Sequence, residues 1–371
     1  MQHQRRSYGG GPAAQKLRVG VVGLGALGSL FAAKLASAGC DVWALVRSEA
    51  QRDAIQRAGG LRLVDATRHQ ALARVWQEET RATHKIEAFA DAAQVKAQAR
   101  EADVLVFLTK SYDTRATAHS IPLAGLVRPD GGVVLTLQNG MGNREVLQAS
   151  LQPTQTGSGP GAVPVVLQGI TDVGALLTQP GEVRHTGTGN TFLPQHRLMN
   201  HMRDRLAQAG LEVAVTEDID KRAWMKLMVN AAINPLTALF RIPNGQLLTN
   251  PHLLALAAEV VDEGVAVARA SQVHLPTLFE GKGDEAQAWD EVRRRVFGYV
   301  QQVATATAHN RSSMLRDVER RRPTEIEFIN GHIAREGRRL GVATGLNAHL
   351  CALVQALSVA ADSGGGGVRP D

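Results

Sequence analysis

The sequence predicts an α/β protein in which a domain of alternating strands and helices precedes an all-helical domain. Two observations support this prediction. Apolar runs typical of buried strands recur between residues 17 and 215, interrupted by helical patterns. Beyond Asp218 no strand pattern recurs, and the remaining patterns are helical. A chain of 371 residues is also long enough for two domains that each bury a core.

The first apolar run leads into a glycine-rich turn. Gly23, Gly25 and Gly28 have the spacing Gly-x-Gly-x-x-Gly, and a helical pattern and a second apolar run at 42–46 follow them. In this order the first glycine permits a tight turn, the second lets backbone approach a pyrophosphate, and the third lets helix pack on strand. The helix N-terminus offers free N–H groups to phosphates. The turn therefore predicts a Rossmann-type dinucleotide-binding domain. The predicted cofactor-binding residues of the turn are Gly23, Leu24, Gly25, Ala26, Leu27 and Gly28.

The end of the second strand indicates which dinucleotide binds. A protein that selects NAD usually places an Asp or Glu there, where it binds the ribose 2′-hydroxyl. Here the acidic residue, Asp41, stands at the beginning of the strand, and Arg47 and Ser48 follow its end. A cation beside a small hydroxyl suits a 2′-phosphate. The sequence therefore favours NADP(H), with Arg47 as the phosphate contact.

Two later strands are predicted to carry polar residues to the same sheet edge. The apolar run at 103–109 is followed by Lys110, and the run at 131–137 is followed by Asn139. Ligands of open α/β sheets bind at the carboxyl ends of the strands, so both residues are expected to face the cofactor. A surface lysine and a turn-forming asparagine are the alternatives.

The other elements of the first domain are less distinctive. Helices are predicted at 49–58, 114–127 and 197–209. Strands are predicted at 61–64, 85–89 and 211–215, with a β-rich stretch between 163 and 193. The polar stretch 65–102 is expected to be mainly an exposed excursion.

The second domain is predicted to begin with a helix over 219–240 that is apolar on nearly every side, as buried helices are. Lys226, Asn230 and Asn234 recur four residues apart and therefore share one face of this helix. Each polar group buried without a partner would cost roughly 1–3 kcal/mol. The three side chains are expected either to line a wet cleft or to form a hydrogen-bonded seam in a helix bundle.

Further helices are predicted at 251–271 and 285–309, before the segment Asn-Arg-Ser-Ser-Met at 310–314. Pro323 is predicted to open another helix, with Thr324 and Glu327 spaced as a capping box and Glu325 in its first turn. Taken alone, Glu325 would compensate the helix dipole, and Ser312 and Ser313 would be ordinary loop residues.

Composition excludes several classes of protein. The net charge of +6 is modest, and Lys and Arg are not clustered with aromatic residues as nucleic-acid binding would need. No apolar run approaches 18 residues, and no signal peptide is evident. Cys40 and Cys351 lie far apart and show neither a disulfide framework nor zinc spacing, so a reducing cytoplasm and no metal are expected. Residues 1–15 and 362–371 are predicted to be disordered tails.

At these residues the chain resembles the ketopantoate reductase (2-dehydropantoate 2-reductase) family, over nearly its full length between Lys16 and Ala360. The matching pieces are the glycine turn, Lys110, Leu-Gln-Asn-Gly-Met-Gly at 137–142, Lys226, Asn230 and Asn234 on one helix, the segment 310–314, Asp317, and Thr324-Glu325-Ile326. The resemblance implies an NADP-binding Rossmann-type domain at 16–216, a helical catalytic domain at 217–361 and an active site in the cleft between them.

The resemblance also implies roles for individual residues. Lys226 is the implied general acid that protonates the ketone oxygen. Glu325 is the second implied catalytic residue, an acidic side chain that helps to place the substrate. Lys110 is implied to lie on the nicotinamide side and Asn139 between cofactor and substrate, so that Lys110, Asn139 and Glu325 all count as cofactor-binding. The implied substrate-binding residues are Asn139, Asn230, Asn234, Asn310 and Ser313.

The implied reaction is the NADPH-dependent reduction of 2-dehydropantoate to (R)-pantoate, a step toward pantothenate and coenzyme A. The expected partner is a small 2-oxo acid, with no nucleic acid or membrane, and a homodimer is left open. Three departures from the family pattern concern the glycine-rich stretch 157–162, the long charged stretch 65–102 and the pair Leu193-Pro194. They leave the substrate open but hardly affect the reaction class, so a reductase of another branched 2-oxo acid is the first alternative. The second alternative, which does not rest on these departures, is a non-catalytic NADP-binding regulator.

Overall fold

The computed structural model describes residues 16–67, 80–151, 163–275 and 285–363. Within them, strands are interspersed with helices as far as Thr216, and from Ile219 onward every regular element is helical, so the predicted fold class is confirmed. The division into domains after residue 216 stays a prediction. The predicted tail at 1–15, the stretch 157–162 and residues 364–371 lie outside the described part of the chain.

The strands, in chain order, are β1 (Arg18–Val22), β2 (Asp41–Leu45), β3 (Leu61–Asp65), β4 (Thr80–His84), β5 (Glu87–Phe89), β6 (Val104–Phe107), β7 (Val133–Thr136), β8 (Val165–Gln168), β9 (Ile170–Thr171), β10 (Gly174–Gln179), β11 (Glu182–Gly187), β12 (Asn190–Pro194) and β13 (Glu212–Thr216). The helices are α1 (Ala26–Ser37), α2 (Glu49–Ala58), α3 (Ala92–Ala97), α4 (Thr114–Ser120), α5 (Asn143–Leu151), α6 (Arg197–Gln208), α7 (Ile219–Phe240), α8 (Gln246–Thr249), α9 (Pro251–Ala270), α10 (Glu285–Ala306), α11 (Ser313–Glu319), α12 (Asn330–Leu340) and α13 (Gly345–Ser363).

A six-stranded parallel sheet with the order β5-β2-β1-β6-β7-β8 positions the first half of the site. All residues of β6 and β7 are buried, which is why these strands are nearly continuous apolar runs. The strand order reverses at β1, since the chain passes first to β2 on one side and later to β6 on the other. Such a reversal opens a crevice at the carboxyl ends of β1 and β6. The glycine turn and Lys110 follow these two strands directly.

Two smaller sheets complete the α/β part, with the orders β10-β11-β3-β4 and β13-β12-β9. The predicted β-rich stretch after residue 163 is confirmed. In the stretch 65–102, the structure adds β4 and α3 to the predicted strand, which is shorter than expected and begins at Glu87. Residues 68–79 of that stretch lie outside the described part of the chain.

Two predicted elements are wrong in detail. The helix expected over 114–127 ends at Ser120, because Pro122 disfavours helical geometry at Ile121, which is extended (φ −124°, ψ 139°). A short 3₁₀ turn at Leu123–Leu126 follows. The predicted capping box at Thr324 and Glu327 does not form. Ile326–Phe328 is a 3₁₀ turn, and α12 begins only at Asn330. Glu327 instead forms an ion pair with Arg335 at 2.8 Å.

The long helix α7 forms the centre of the helical part. Its buried side chains, among them Trp224, Met228 and Leu236, join a core built with α9–α13. Gly264 of α9 permits close packing here, because a Cβ at that position would lie 3.0 Å from Met228 Cγ. Within the described ranges, no helix has both the length and the apolar composition needed to cross a membrane.

Candidate active site

The glycine turn has the geometry of a phosphate cradle. Gly23 has φ +95°, and a Cβ there would lie 2.7 Å from the backbone N of Thr109. A Cβ at Gly28 would lie 1.9 Å from Gly23 O, so only glycine lets α1 pack this closely. A Cβ at Gly25, in contrast, would meet no atom within 4 Å. Gly25 is the N-cap of α1 and therefore places open space before the free N–H groups of a helix N-terminus, which fits a pyrophosphate.

Arg47 follows β2 on the same side of the sheet. Its side chain is 87% exposed, and its Nη2 lies 3.4 Å from Asp113 Oδ2. Ser48 Oγ accepts a hydrogen bond from Gln51 N and so caps α2. The cation that the sequence singles out is therefore solvent-accessible and held by one surface ion pair, whose partner Asp113 was not predicted.

Lys110 connects the crevice to the helical part of the molecule. Its Nζ donates to Asp317 Oδ2 at 2.8 Å and lies 3.4 Å from Glu325 Oε2. Both carboxylates are buried, with Asp317 8% and Glu325 7% exposed. Burial by itself lowers the pKa of Lys110, but the charges of Glu325 and Asp317 outweigh it and hold the pKa above its ordinary value. Lys110 is therefore a permanent cation between two acids.

Glu325 and Asn139 are fixed by the loop that contains Ser111. Ser111 N donates to Glu325 Oε1 at 3.0 Å, and Ser111 Oγ donates to Asn139 O at 2.7 Å. Asn143 Nδ2 in turn donates to Ser111 Oγ at 3.0 Å. The structure thus brings together Lys110, Asn139 and Glu325. The sequence analysis missed Ser111 and Asn143, although each stands within four residues of a predicted site residue.

The loop after β7 touches the helical part through backbone atoms. Met141 N donates to Phe328 O at 2.9 Å. Gly140 has φ +78°, and a Cβ there would lie 2.5 Å from the same carbonyl oxygen. Gly140 therefore serves the close approach of the two halves of the molecule as well as the turn itself.

Lys226 lies on α7 and contacts a different part of the α/β half. Its Nζ donates to Thr171 O at the end of β9 and lies 3.4 Å from Asp172 Oδ1. The lysine side chain is 20% exposed and is therefore only partly buried. No sequence motif indicated Thr171 or Asp172, because Thr171 ends a strand of only two residues and Asp172 follows it. The contacts of Lys226 are thus different from those of Lys110 and Glu325.

Asn230 and Asn234 continue along α7 from Lys226. Asn230 is half-buried and Asn234 is buried. Within the described ranges, neither side-chain amide makes a hydrogen bond to protein. These two residues thus do not form the hydrogen-bonded seam that was the alternative interpretation, and their amides are free to bind a ligand.

Ser313, the first residue of α11, and Asn310, three residues before it, are both exposed. Between them, Ser312 caps this helix, since its Oγ accepts from Leu315 N at 3.1 Å and from Thr237 Oγ1 at 2.8 Å. Ser312 therefore has a structural role, and its bond to Thr237 of α7 holds Ser313 near the polar face of that helix. In the part of the chain that the structure describes, no three His, Cys, Asp or Glu side chains are grouped to hold a metal ion.

A separate cleft of about 870 Å³ lies at the opposite edge of the central sheet, where the strands begin. Its charged residues neutralise one another. Arg18 Nε and Arg100 Nη2 lie 3.1 and 2.7 Å from the carboxylate of Asp41, and Arg128 Nη1 lies 3.0 Å from Asp103 Oδ1. Since ligands of such sheets bind at the carboxyl edge, the crevice beside the glycine turn is the better candidate.

Comparison with known proteins agrees with this architecture. A family model described as ketopantoate reductase PanE/ApbA matches residues 19–197, and one described as its C-terminal part matches residues 218–358. The chain is 35% identical to 2-dehydropantoate 2-reductase of Archaeoglobus fulgidus over 343 residues, which are 91% of this chain and 97% of the relative. It is 33% identical to the enzyme of the same name from Halobacterium salinarum over 346 residues, which are 91% of this chain and 98% of the relative.

Solved structures give the same result for the fold. A PanE/ApbA family ketopantoate reductase from Ralstonia eutropha superposes with a TM-score of 0.74 at 26% identity, covering 93% of this chain and 100% of that one. A D-mandelate dehydrogenase solved with NADH and anilino(oxo)acetate superposes with a TM-score of 0.73 at 22% identity, with the same coverage. At 22% identity, the likeness to D-mandelate dehydrogenase is evidence for the fold alone.

These matches extend across both halves of the chain. They support a nicotinamide dinucleotide as cofactor and a small 2-oxo acid as substrate. The chain therefore belongs to the ketopantoate reductase family, which confirms the predicted family and the predicted class of enzyme, an oxidoreductase.

Proposed function

We propose that this chain reduces 2-dehydropantoate to (R)-pantoate with NADPH, a step toward pantothenate and coenzyme A, and that Lys226 is the general acid. One observation carries the proposal. In a chain of the ketopantoate reductase family, a partly exposed lysine and two amides follow one another along a single face of α7, and neither amide makes a hydrogen bond to protein within the described ranges. This arrangement can bind an anionic, hydroxyl-bearing ketone and supply it with a proton.

The cofactor would bind at the glycine turn. The open space in front of Gly25 accepts the pyrophosphate, and the exposed guanidinium of Arg47 is available for the 2′-phosphate. When bound, the nicotinamide supplies the hydride. Arg47 is already close to a carboxylate, so binding of a phosphate exchanges one anionic partner for another.

Lys226 can perform the proton transfer. Negative charge grows on the oxygen of a ketone during its reduction, and a nearby ammonium stabilises that charge and can protonate the oxygen. In the structure Nζ is held by Thr171 O and Asp172, which limit its movement. Asn230, Asn234, Asn310 and Ser313 would hold the hydroxyl and carboxylate groups of the substrate.

Lys110, Asn139 and Glu325 would form the cofactor side of the site. The ion pairs of Lys110 with Asp317 and Glu325 join the loop after β6 to α11 and to the segment before α12. Ser111 fixes both Glu325 and Asn139. We infer that Glu325 helps to orient the substrate beside the nicotinamide and that Lys110 holds this carboxylate in place.

A spectrophotometric assay tests the proposal. NADPH oxidation is measured at 340 nm with 2-dehydropantoate and with a panel of other branched and unbranched 2-oxo acids, and each reaction is repeated with NADH. The highest kcat/KM is expected with 2-dehydropantoate and NADPH. A higher kcat/KM with another 2-oxo acid would show that this acid, and not 2-dehydropantoate, is the preferred substrate. Binding of NADPH without oxidation by any of the acids would favour the non-catalytic regulator.

A further inference from the structure

The helix that carries Lys226, Asn230 and Asn234 contains a proline. Pro235 lies in the interior of α7, directly after Asn234. Proline has no backbone N–H, so Ala231 O, four residues earlier, cannot receive its usual helical hydrogen bond. A buried carbonyl without a partner costs roughly 1–3 kcal/mol. The break falls between the two amides proposed to bind substrate.

A side chain from another helix supplies the missing donor. Asn330, the first residue of α12, is completely buried, and its Nδ2 donates to Ala231 O at 3.1 Å. The same Nδ2 donates to Asn347 Oδ1 of α13 at 2.9 Å. Asn330 therefore replaces the N–H that Pro235 lacks and joins three helices at this point.

The orientation of the Asn330 amide is set by a carboxylate at the other end of the network. Asn347 Nδ2 donates to Glu263 Oε2 at 2.7 Å and to Val260 O at 3.3 Å, so its Oδ1 faces Asn330. Glu263 also accepts the backbone N–H groups of Leu346 and Asn347, each at 2.9 Å, and thereby caps α13. Because both neighbours of Asn330 are acceptors, only its Nδ2 can face them.

We propose that Asn330 is a positioning residue of the active site. It completes α7 at the proline and so fixes the backbone between Asn230 and Asn234, and with it their placement relative to Lys226. Glu263 and Asn347 act through Asn330 by holding its amide in the donating orientation. The expected effect on substrate binding depends on the function proposed above, whereas the repair of α7 does not.

A double-mutant cycle between positions 330 and 235 tests the proposal. In Pro235→Ala, the alanine N–H can bond to Ala231 O, so Asn330 is no longer needed there. Asn330→Ala in the parent chain is expected to raise KM for 2-dehydropantoate about tenfold, as for one lost hydrogen bond, with less than a threefold change in kcat. In the Pro235→Ala background the same change is expected to raise KM less than about twofold.

Two measurements separate this effect from general loss of stability. Leu350→Ala, a buried change in the same core that leaves the network intact, is expected to lower the free energy of unfolding without changing KM. Urea unfolding of the four proteins of the cycle, which are the parent, the two single variants and the double variant, provides a second readout that requires no substrate. The loss in free energy of unfolding caused by Asn330→Ala is expected to be smaller in the Pro235→Ala background than in the parent.

The outcomes are distinct. The proposal would be overturned if Asn330→Ala lowered the free energy of unfolding equally in the parent and in the Pro235→Ala background. It would also be overturned if these two losses differed while KM stayed unchanged in every variant. If the parent enzyme turns over no 2-oxo acid, the proposed function fails. The repair of α7 by Asn330 is then decided by the unfolding cycle alone.

Discussion

Lys110 Nζ lies 2.8 Å from Asp317 Oδ2, and this ion pair joins the loop after β6 of the central sheet to α11 of the helical part. Glu325 shares the same ammonium at 3.4 Å. Since both carboxylates are buried, the lysine neutralises charge that would otherwise be expensive to bury. The ion pair therefore acts on stability as well as on the candidate site.

Lys110→Met is expected to lower the free energy of unfolding by about 3 kcal/mol, because it leaves two buried carboxylates without their cation. Urea unfolding at pH 7 measures the loss. The double variant that combines Lys110→Met with Asp317→Asn should regain part of the lost free energy of unfolding, since one unpaired charge is then removed. Arg203→Met is the control, as its partner Asp204 is exposed. Equal losses in Lys110→Met and the control would contradict the role given to this pair.

Lys226→Ala is expected to lower kcat by roughly 100-fold or more, as loss of a general acid does. NADPH binding, followed by fluorescence titration, should be unchanged because the glycine turn is untouched. Lys221→Ala, on the same helix and outside the site, is the matched control and should retain activity. A turnover equal to that of the parent enzyme would remove Lys226 from the acid role.

Arg47→Ala is expected to raise KM for NADPH at least about tenfold, as loss of a charge-assisted contact to phosphate should, and to leave KM for NADH nearly unchanged. Steady-state kinetics with the two cofactors give the comparison. Arg52→Ala, a nearby change on α2, serves as control. If KM rises to the same degree for NADPH and for NADH, Arg47 does not bind the 2′-phosphate.

Gly25→Ala is expected to weaken NADPH binding at least about tenfold while thermal stability without cofactor is retained. Alanine fits the backbone at this position (φ −72°) and meets no protein atom, but its methyl group would occupy the space where phosphate approaches the backbone. Gly28→Ala should instead prevent folding, because its Cβ would lie 1.9 Å from Gly23 O. Unchanged NADPH affinity in Gly25→Ala would place the pyrophosphate elsewhere.

His332 is expected to make the protein less stable in mild acid. It packs edge-on against Trp224, with ring centroids 6.0 Å apart. Burial, helped by Arg335 and opposed by Glu336 and Glu145, lowers the pKa of His332 from 6.5 to about 4. Between these values the unfolded chain binds a proton that the folded chain does not, so stability falls as the pH falls through this window.

The loss amounts to roughly 2–3 kcal/mol between pH 7 and pH 4. Urea unfolding at pH 7, 6 and 5 compares the parent chain with His332→Gln, which has no imidazole to protonate. The stability of the variant should depend less steeply on pH. Parallel curves for the two proteins would show that His332 does not carry the effect.

How far the sequence predicts the structure depends on how local the cause is. The turn at Gly23–Gly28 and the helix over 219–240 follow from spacing and periodicity, and both are confirmed as structural elements. The partners of Lys110 could not be read from a pattern, because Asp317 lies 207 residues later in the chain. The roles assigned to the site residues stay predictions.

The error at Glu325 has a tertiary cause. The spacing of Thr324 and Glu327 satisfies the local rule for a capping box. In the folded chain, however, Glu325 Oε1 accepts from Ser111 N of the α/β half, and a 3₁₀ turn follows it instead of a regular helix. A contact between distant segments thus outweighed a weak local preference.

The contact of Gly140 with Phe328 O limits how such enzymes can be recombined. Backbone atoms form it, so the segment around Phe328 could be taken from a homologue with different side chains. The opposing loop has no such freedom, because any residue larger than glycine at 140 would push the two parts of a hybrid protein apart. Chimaeras that exchange the substrate-binding half should therefore be assembled around this glycine.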